Sequence, residues 1–249
     1  MRKMRWKEAG GELLQFVQAA NWMRTSLINM AKVTAPMREL LEELLKGRTR
    51  RIAASKVIRQ EDWMEQRQAA WDAALRMLQN AVELAHPPKG WKVLMFPDAS
   101  DLFLGGFRIQ VPPADFVSGV QVEDMCHEPL GFLSGAFTGS QLQWPTVDNE
   151  AFAIVSPLRR LEYFLWGGVS ICCHHRNLAY IFSPEALVSS LSKATAQRLL
   201  HWRTFQGQFP YEIVHIPGEE NRRGDLLSRW QLVGADEDSE GQVWNKGVT

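Results

Sequence analysis

"WKVLMFPDASDLFLGGFRIQV", Trp91 to Val111, consists of two apolar runs separated by a polar turn, Pro97-Asp98-Ala99-Ser100-Asp101. Runs of this length, rich in Val, Ile, Leu and Phe and broken by turn formers, predict consecutive antiparallel strands. "LGFLSGAF", Leu130 to Phe137, continues the series as a third strand. Beyond it the texture alternates: "NEAFAIVSPLRRLEYFLWG" is helix-like, "VSICCHH" strand-like, "SPEALVSSLSKATAQRLLHWRTFQ" helix-like, "YEIVHIP" strand-like, and "GDLLSRW" a last short helix. Three strands followed by alternating helix and strand predict an α/β layer arrangement, a mixed sheet with helices packed on it.

Upstream of this region the pattern is helical. "GELLQFVQAANWMRTSL" and "APMRELLEELL" place apolar residues at three- and four-residue spacings, and a third segment from Glu61 puts Trp71, Ala74, Leu75, Leu78 and Val82 on one face. Between them "GRTRRIAASKVIR", Gly47 to Arg59, reads as a solvated loop. The Pro/Gly break His86-Pro87-Pro88-Lys89-Gly90 divides a small helical segment, residues 1–86, from the sheet domain, residues 91–232. The acidic, small-residue run 233–249 has no periodicity and is expected to be a disordered tail.

Of the 249 residues 45% are apolar, enough for a buried core, and the 28 basic and 28 acidic residues cancel. A global field that would draw the protein onto nucleic acid or an anionic membrane is therefore excluded, and any such binding needs a local patch. Three cysteines, two of them adjacent, make no disulfide framework, and no apolar leader or spanning stretch is evident. An intracellular chain with no membrane partner is expected.

Three carboxylates end or begin apolar elements. Asp98 follows a strand, Glu150 sits one turn into a helix, and Asp225 opens the last helix. Singly, each has an ordinary reading: a turn aspartate, a capping or dipole-favoured glutamate, a helix-start aspartate. Gathered at the mouth of one sheet, they would suit Mg²⁺, which takes oxygen ligands and keeps positions for water and phosphate. Cys172, Cys173, His174 and His175 are four good zinc ligands in a row. On a strand they alternate faces, Cys172 with His174 and Cys173 with His175, and so do not wrap one tetrahedral ion; zinc is not expected there.

The motifs "FPDAS", "FLSGAFTGSQLQWPTVDNEAFAIV", "HHRNLAYIF" and "YEIVHIPGEENRRGDLLSR" resemble, in sequence and order, the RNase H domain of gypsy-type LTR-retrotransposon reverse transcriptases. "LLQFVQAANWMRTSLINMAKVTAPMRELL" and "AAWDAALRMLQNAVELAHP" are similar to the thumb and connection segments that lead into that domain. The resemblance implies an RNase H-like mixed five-stranded sheet flanked by helices and preceded by a small helical segment. It also implies cleavage of the RNA strand of an RNA:DNA hybrid with two Mg²⁺ ions, and a chain that is a piece of a longer polyprotein partnering a polymerase part.

Carried over by position, the metal-binding carboxylates are Asp98, Glu150 and Asp225, and the remaining one precedes His175-Arg176-Asn177-Leu178. His174 stands there. An imidazole brings a nitrogen and no charge where Mg²⁺ wants anionic oxygen, so impaired catalysis is implied, with Mn²⁺ the better-tolerated ion. Arg176 and Asn177, with Arg203, are the implied hybrid contacts, and the alternative is a non-catalytic hybrid-binding or structural module. Pro157, inside the helix that carries Glu150, is expected to kink it after Val155. Trp144, Trp166 and Trp202 are read as packing residues.

Overall fold

A computed structural model of the chain describes residues 9–86, 90–114, 126–160, 167–182 and 191–216. Strands β1 (Lys92–Ala99), β2 (Phe103–Val111) and β3 (Glu128–Ala136) pair antiparallel in succession. Strands β4 (Val169–Cys173) and β5 (Tyr211–His215) add parallel pairs on the other side of β1, giving one sheet in the order β3-β2-β1-β4-β5. The three strands expected between Trp91 and Phe137 are all present. β1 and β2 are buried along almost their whole length, which explains why they read as continuous apolar runs: both faces of the sheet are covered.

The helices are α1 (Gly10–Trp22), α2 (Met30–Val33), α3 (Ala35–Leu45), α4 (Arg50–Ala54), α5 (Glu65–Gln79), α6 (Thr146–Arg160), α7 (Arg176–Ile181) and α8 (Lys193–Gln206). On one face of the sheet Val93, Met95, Ile171 and Cys173 pack with Ile154 and Leu158 of α6 and Leu199 and Trp202 of α8. On the other, Leu94, Phe96, Phe107 and Cys172 pack with Val82 and Ile28 from the chain before Gly90. α1, α3 and α5 bury a core of their own around Leu13, Met37, Leu40 and Trp71, with the Phe16 and Trp71 rings 4.3 Å apart. Among the described residues no helix is long and apolar enough to cross a membrane.

The helical segment is stitched to the sheet by backbone groups. Phe132 N donates to Thr25 O at 2.8 Å, Ala85 N to Pro129 O at 2.8 Å, and Val82 N to Ser26 O at 3.0 Å. The buried Ala31 donates its N–H to Ser134 Oγ at 2.8 Å, anchoring α2 over β3. Ser134→Ala leaves that donor without its acceptor and is expected to cost about 1–3 kcal/mol of unfolding free energy, measured by urea denaturation.

One expectation is corrected: the stretch Gly47 to Arg59 holds the short helix α4, with Arg51 and Ile52 exposed. α7 follows β4 in a stretch to which the sequence pattern assigns no element. α6 runs through Pro157 to Arg160, with Pro157 buried. Asp225, the "GDLLSRW" helix, Trp166 and the tail 233–249 lie outside the described residues.

Candidate active site

The site forms where β1 and β4 end side by side. Their parallel ladder pairs Leu94 with Ser170 and Met95 with Ile171. Pro97, two residues further on, has no N–H to give to a neighbouring strand. Three residues past that last pair, Asp98 on β1 lies level with His174, the first residue after β4. On the other side Asp98 pairs with Gly105, and a side chain at Gly106, opposite Pro97, would sit 3.3 Å from Phe96 O. Gly106 thus lets β2 approach the β1 end closely. Crevices beyond the carboxyl ends of such strands are where open α/β sheets hold ligands.

Asp98 is 0% exposed, and its Oδ1 is 3.6 Å from His174 Nδ1. Glu150, one turn into α6 and 6% exposed, has its Oε1 2.9 Å from His175 Nε2. The two imidazoles lie 4.2 Å apart between centroids. Ligand atoms of Glu150, His174 and His175 all fall within 4.8 Å of one another. These groups open onto a cavity of about 620 Å³ whose wall includes Asp101, Asn149 and Lys32. Burial holds the Lys32 ammonium below its ordinary pKa, and its Nζ sits 5.5 Å over the Phe103 ring.

The alternation argument holds for the cysteines and fails for the histidines. Cys172 and Cys173 enter opposite faces of the core, as strand residues do. β4 ends at Cys173, however, so His174 and His175 are not bound by its pleat, and both line the same cavity. That removes the reason for setting the histidines aside as metal ligands.

The structure brings together Asp98, Glu150 and His174 from the expected set, adds His175 and Lys32, and leaves Asp225 outside the described residues. Arg176 and Asn177 open α7; Asn177 is exposed and is not part of the cavity wall, and the Arg176 side chain is outside the described residues. Arg203 lies on α8 beside Tyr211. Trp202 is buried, and the ring of half-buried Trp144 packs 5.6 Å from it.

Among the described residues the donors do not fit a pair of Mg²⁺ ions. That pair needs anionic oxygens from several sides. Among the described residues, each of the two carboxylates that converge with the histidines already faces an imidazole, and the third position supplies nitrogen.

The thiols take no part in this chemistry. Burial pushes Cys172 up to about 12. Burial also raises Cys173 to about 11, with a smaller upward push from Glu150 and a backbone hydrogen bond at His175 pulling the other way. A thiol-directed alkylating reagent at pH 8 is expected to modify exposed Cys126 and spare both buried cysteines, counted by mass spectrometry. Because the folded-state values are raised, the stability these thiols contribute is complete below the ordinary value of 9.0. It is lost as pH climbs from there toward 11, where the unfolded chain ionises first.

Residues 91–209 match the family described as the RNase H-like domain found in reverse transcriptase. The chain is 25% identical over 231 residues to the Transposon Tf2-3 polyprotein of Schizosaccharomyces pombe, covering 91% of this chain and 15% of that one. It therefore spans about 15% of the length of the curated relatives it matches. In structure it is similar to the foamy viral protease-reverse transcriptase dRH in complex with ds DNA (TM-score 0.63, 13% identity, 86% of this chain and 33% of that one). It is also similar to the foamy viral protease-reverse transcriptase in complex with RNA/DNA hybrid (TM-score 0.60, 13% identity, 96% and 28%). With the five-stranded mixed sheet and its flanking helices, residues 91–209 are similar to the RNase H-like domain found in reverse transcriptase, in a chain similar to a segment of transposon polyproteins.

Proposed function

We propose that the chain is the RNase H-like part of a gypsy-type LTR-retrotransposon reverse transcriptase, that it binds RNA:DNA hybrid, and that its Mg²⁺-dependent hydrolysis of the RNA strand is impaired. One observation carries the impairment: His174 stands level with Asp98 at the strand end, where the resemblance implies a metal-binding carboxylate. His175 Nε2 stands 2.9 Å from one Glu150 oxygen and His174 Nδ1 3.6 Å from one Asp98 oxygen, so each carboxylate has an imidazole beside it where the resemblance implies a shared cation.

Hybrid is also the ligand in one of the foamy viral structures of similar fold. Lys32, on the rim of the cavity, is the cation best placed to meet a phosphate there. Lys32→Ala is expected to weaken hybrid binding and to lower the slope of log affinity against log salt by about one, read by fluorescence anisotropy.

The deciding experiment measures binding and cleavage of a labelled RNA:DNA hybrid in parallel, in Mg²⁺ and in Mn²⁺, with Asp98→Asn as control. Salt-dependent binding with little Mg²⁺ cleavage and more in Mn²⁺ is the expected result, since Mn²⁺ accepts a nitrogen donor more readily. Hybrid binding without cleavage in either ion would favour the non-catalytic module. A chain that folds but has no affinity for hybrid sinks both readings.

A further inference from the structure

The strand-end cluster has the chemistry of a different ion. Glu150, His174 and His175 offer one oxygen and two nitrogens within 4.8 Å of one another, at the wall of an open cavity. Two imidazoles and a carboxylate are a donor set for borderline first-row ions such as Zn²⁺ and Co²⁺, and a poor one for Mg²⁺. We propose that Glu150, His174 and His175 bind a single transition-metal ion of the Zn²⁺ class, in preference to Mg²⁺.

The His175–Glu150 pair needs little change, and His174, whose ligand atom lies within 4.8 Å of both, has to close in on them. At zinc–ligand bond lengths, neighbouring donors of a tetrahedral site stand roughly 3.3 Å apart. His175 Nε2 and Glu150 Oε1 are already 2.9 Å apart, so a small opening of that contact admits the ion. The Asp98 carboxylate, 3.6 Å from His174 Nδ1, is placed to orient that ring, as carboxylates behind metal-binding histidines do. Three protein ligands at the wall of an open cavity leave a coordination position free for water, the arrangement of reactive metal sites more than of closed structural ones. Cys172 and Cys173 are buried in the core on either side of the sheet and are not in the group.

The inference concerns the same site as the nuclease reading but stands on donor type and spacing alone, so its test reads metal binding and not cleavage. The full chain, stripped with a chelator, is titrated with Co²⁺ by visible absorption and with Zn²⁺ and Mg²⁺ by calorimetry. One equivalent of Co²⁺ is expected, with ligand-field bands of a four- or five-coordinate ion and no thiolate charge-transfer band. Zn²⁺ should bind at least ~100-fold more tightly than Mg²⁺. His174→Ala, His175→Ala and Glu150→Gln should each weaken Zn²⁺ binding at least ~10-fold, while Cys126→Ser leaves it unchanged.

Equal affinity for Mg²⁺, a thiolate band, or Zn²⁺ binding that survives all three substitutions would overturn the proposal. Should a variant fail to fold, the Co²⁺ spectrum and the Zn²⁺-to-Mg²⁺ ratio of the unaltered chain still decide. Hybrid binding measured on the same preparation separates the two ideas, because either can fail while the other stands.

Discussion

Replacing His174 with aspartate is expected to raise Mg²⁺-dependent cleavage of the RNA strand of a hybrid on the order of 100-fold or more. Even changes to groups behind the ligands of a metal site alter affinity or activity 10- to 100-fold as a rule, and this one acts on a donor itself. The substitution places a second carboxylate beside Asp98, which is wholly buried. Without a cation the two like charges repel, so the metal-free variant should be less stable than the parent at neutral pH. Mg²⁺ should restore it by mass action, and its melting temperature should climb with Mg²⁺ concentration while the parent's hardly moves. Cleavage of labelled hybrid and thermal unfolding across a Mg²⁺ series check both halves. An unchanged cleavage rate in a variant that gains Mg²⁺-dependent stability would mean that the defect lies elsewhere, Asp225 being the next residue to question.

A second large effect is expected behind the cavity wall, at Arg198. Asp148 in the first turn of α6 is 0% exposed and is held by Arg198 of α8, through Nε at 3.1 Å and also through Nη2, and by Thr195 Oγ1 at 3.2 Å. The guanidinium also lies 5.1 Å over the Trp144 ring. Arg198→Leu removes the cation and leaves a buried carboxylate with the Thr195 hydroxyl donating to it. The expected cost is about 3–5 kcal/mol by urea denaturation. The double variant Asp148→Leu/Arg198→Leu should recover most of that loss, because no charge is then stranded. Asp148 lies two residues before Glu150 on the same helix, so the clamp also fixes where Glu150 meets His175.

The strands were legible because both sheet faces are buried, which wrote continuous apolar runs into Lys92–Ala99 and Phe103–Val111. Asp98 and Glu150 were legible through the order of their motifs, and His174 through the carboxylate it replaces. The true end of β4 was not. Nothing in "ICCHH" marks the step from Cys173 to His174 as the point where alternation stops, and the fate of His175 turned on it. α7 was missed because six residues are too few to display a helical period. Lys32 could not be found at all, since its place beside Glu150 depends on α2 docking over β3, a contact between residues about a hundred positions apart. At Pro157 the helix continues despite the missing N–H, and the residue is buried between Ser156 and Leu158, which are buried too.

β3 ends the sheet on its side, and a bare edge strand is a template for pairing with another molecule. Here the main-chain groups of Pro129 and Phe132 are taken up by Ala85 and Thr25, and Val82 and Ile28 cover the apolar surface behind Leu94 and Phe107. The residues before Gly90 therefore act as a built-in chaperone for the sheet, quenching an edge and a face that would otherwise recruit a neighbour. The 91–209 segment that carries the family likeness leaves these residues out. Trimming to that segment would bare the main-chain groups of Pro129 and Phe132 that Ala85 and Thr25 now meet.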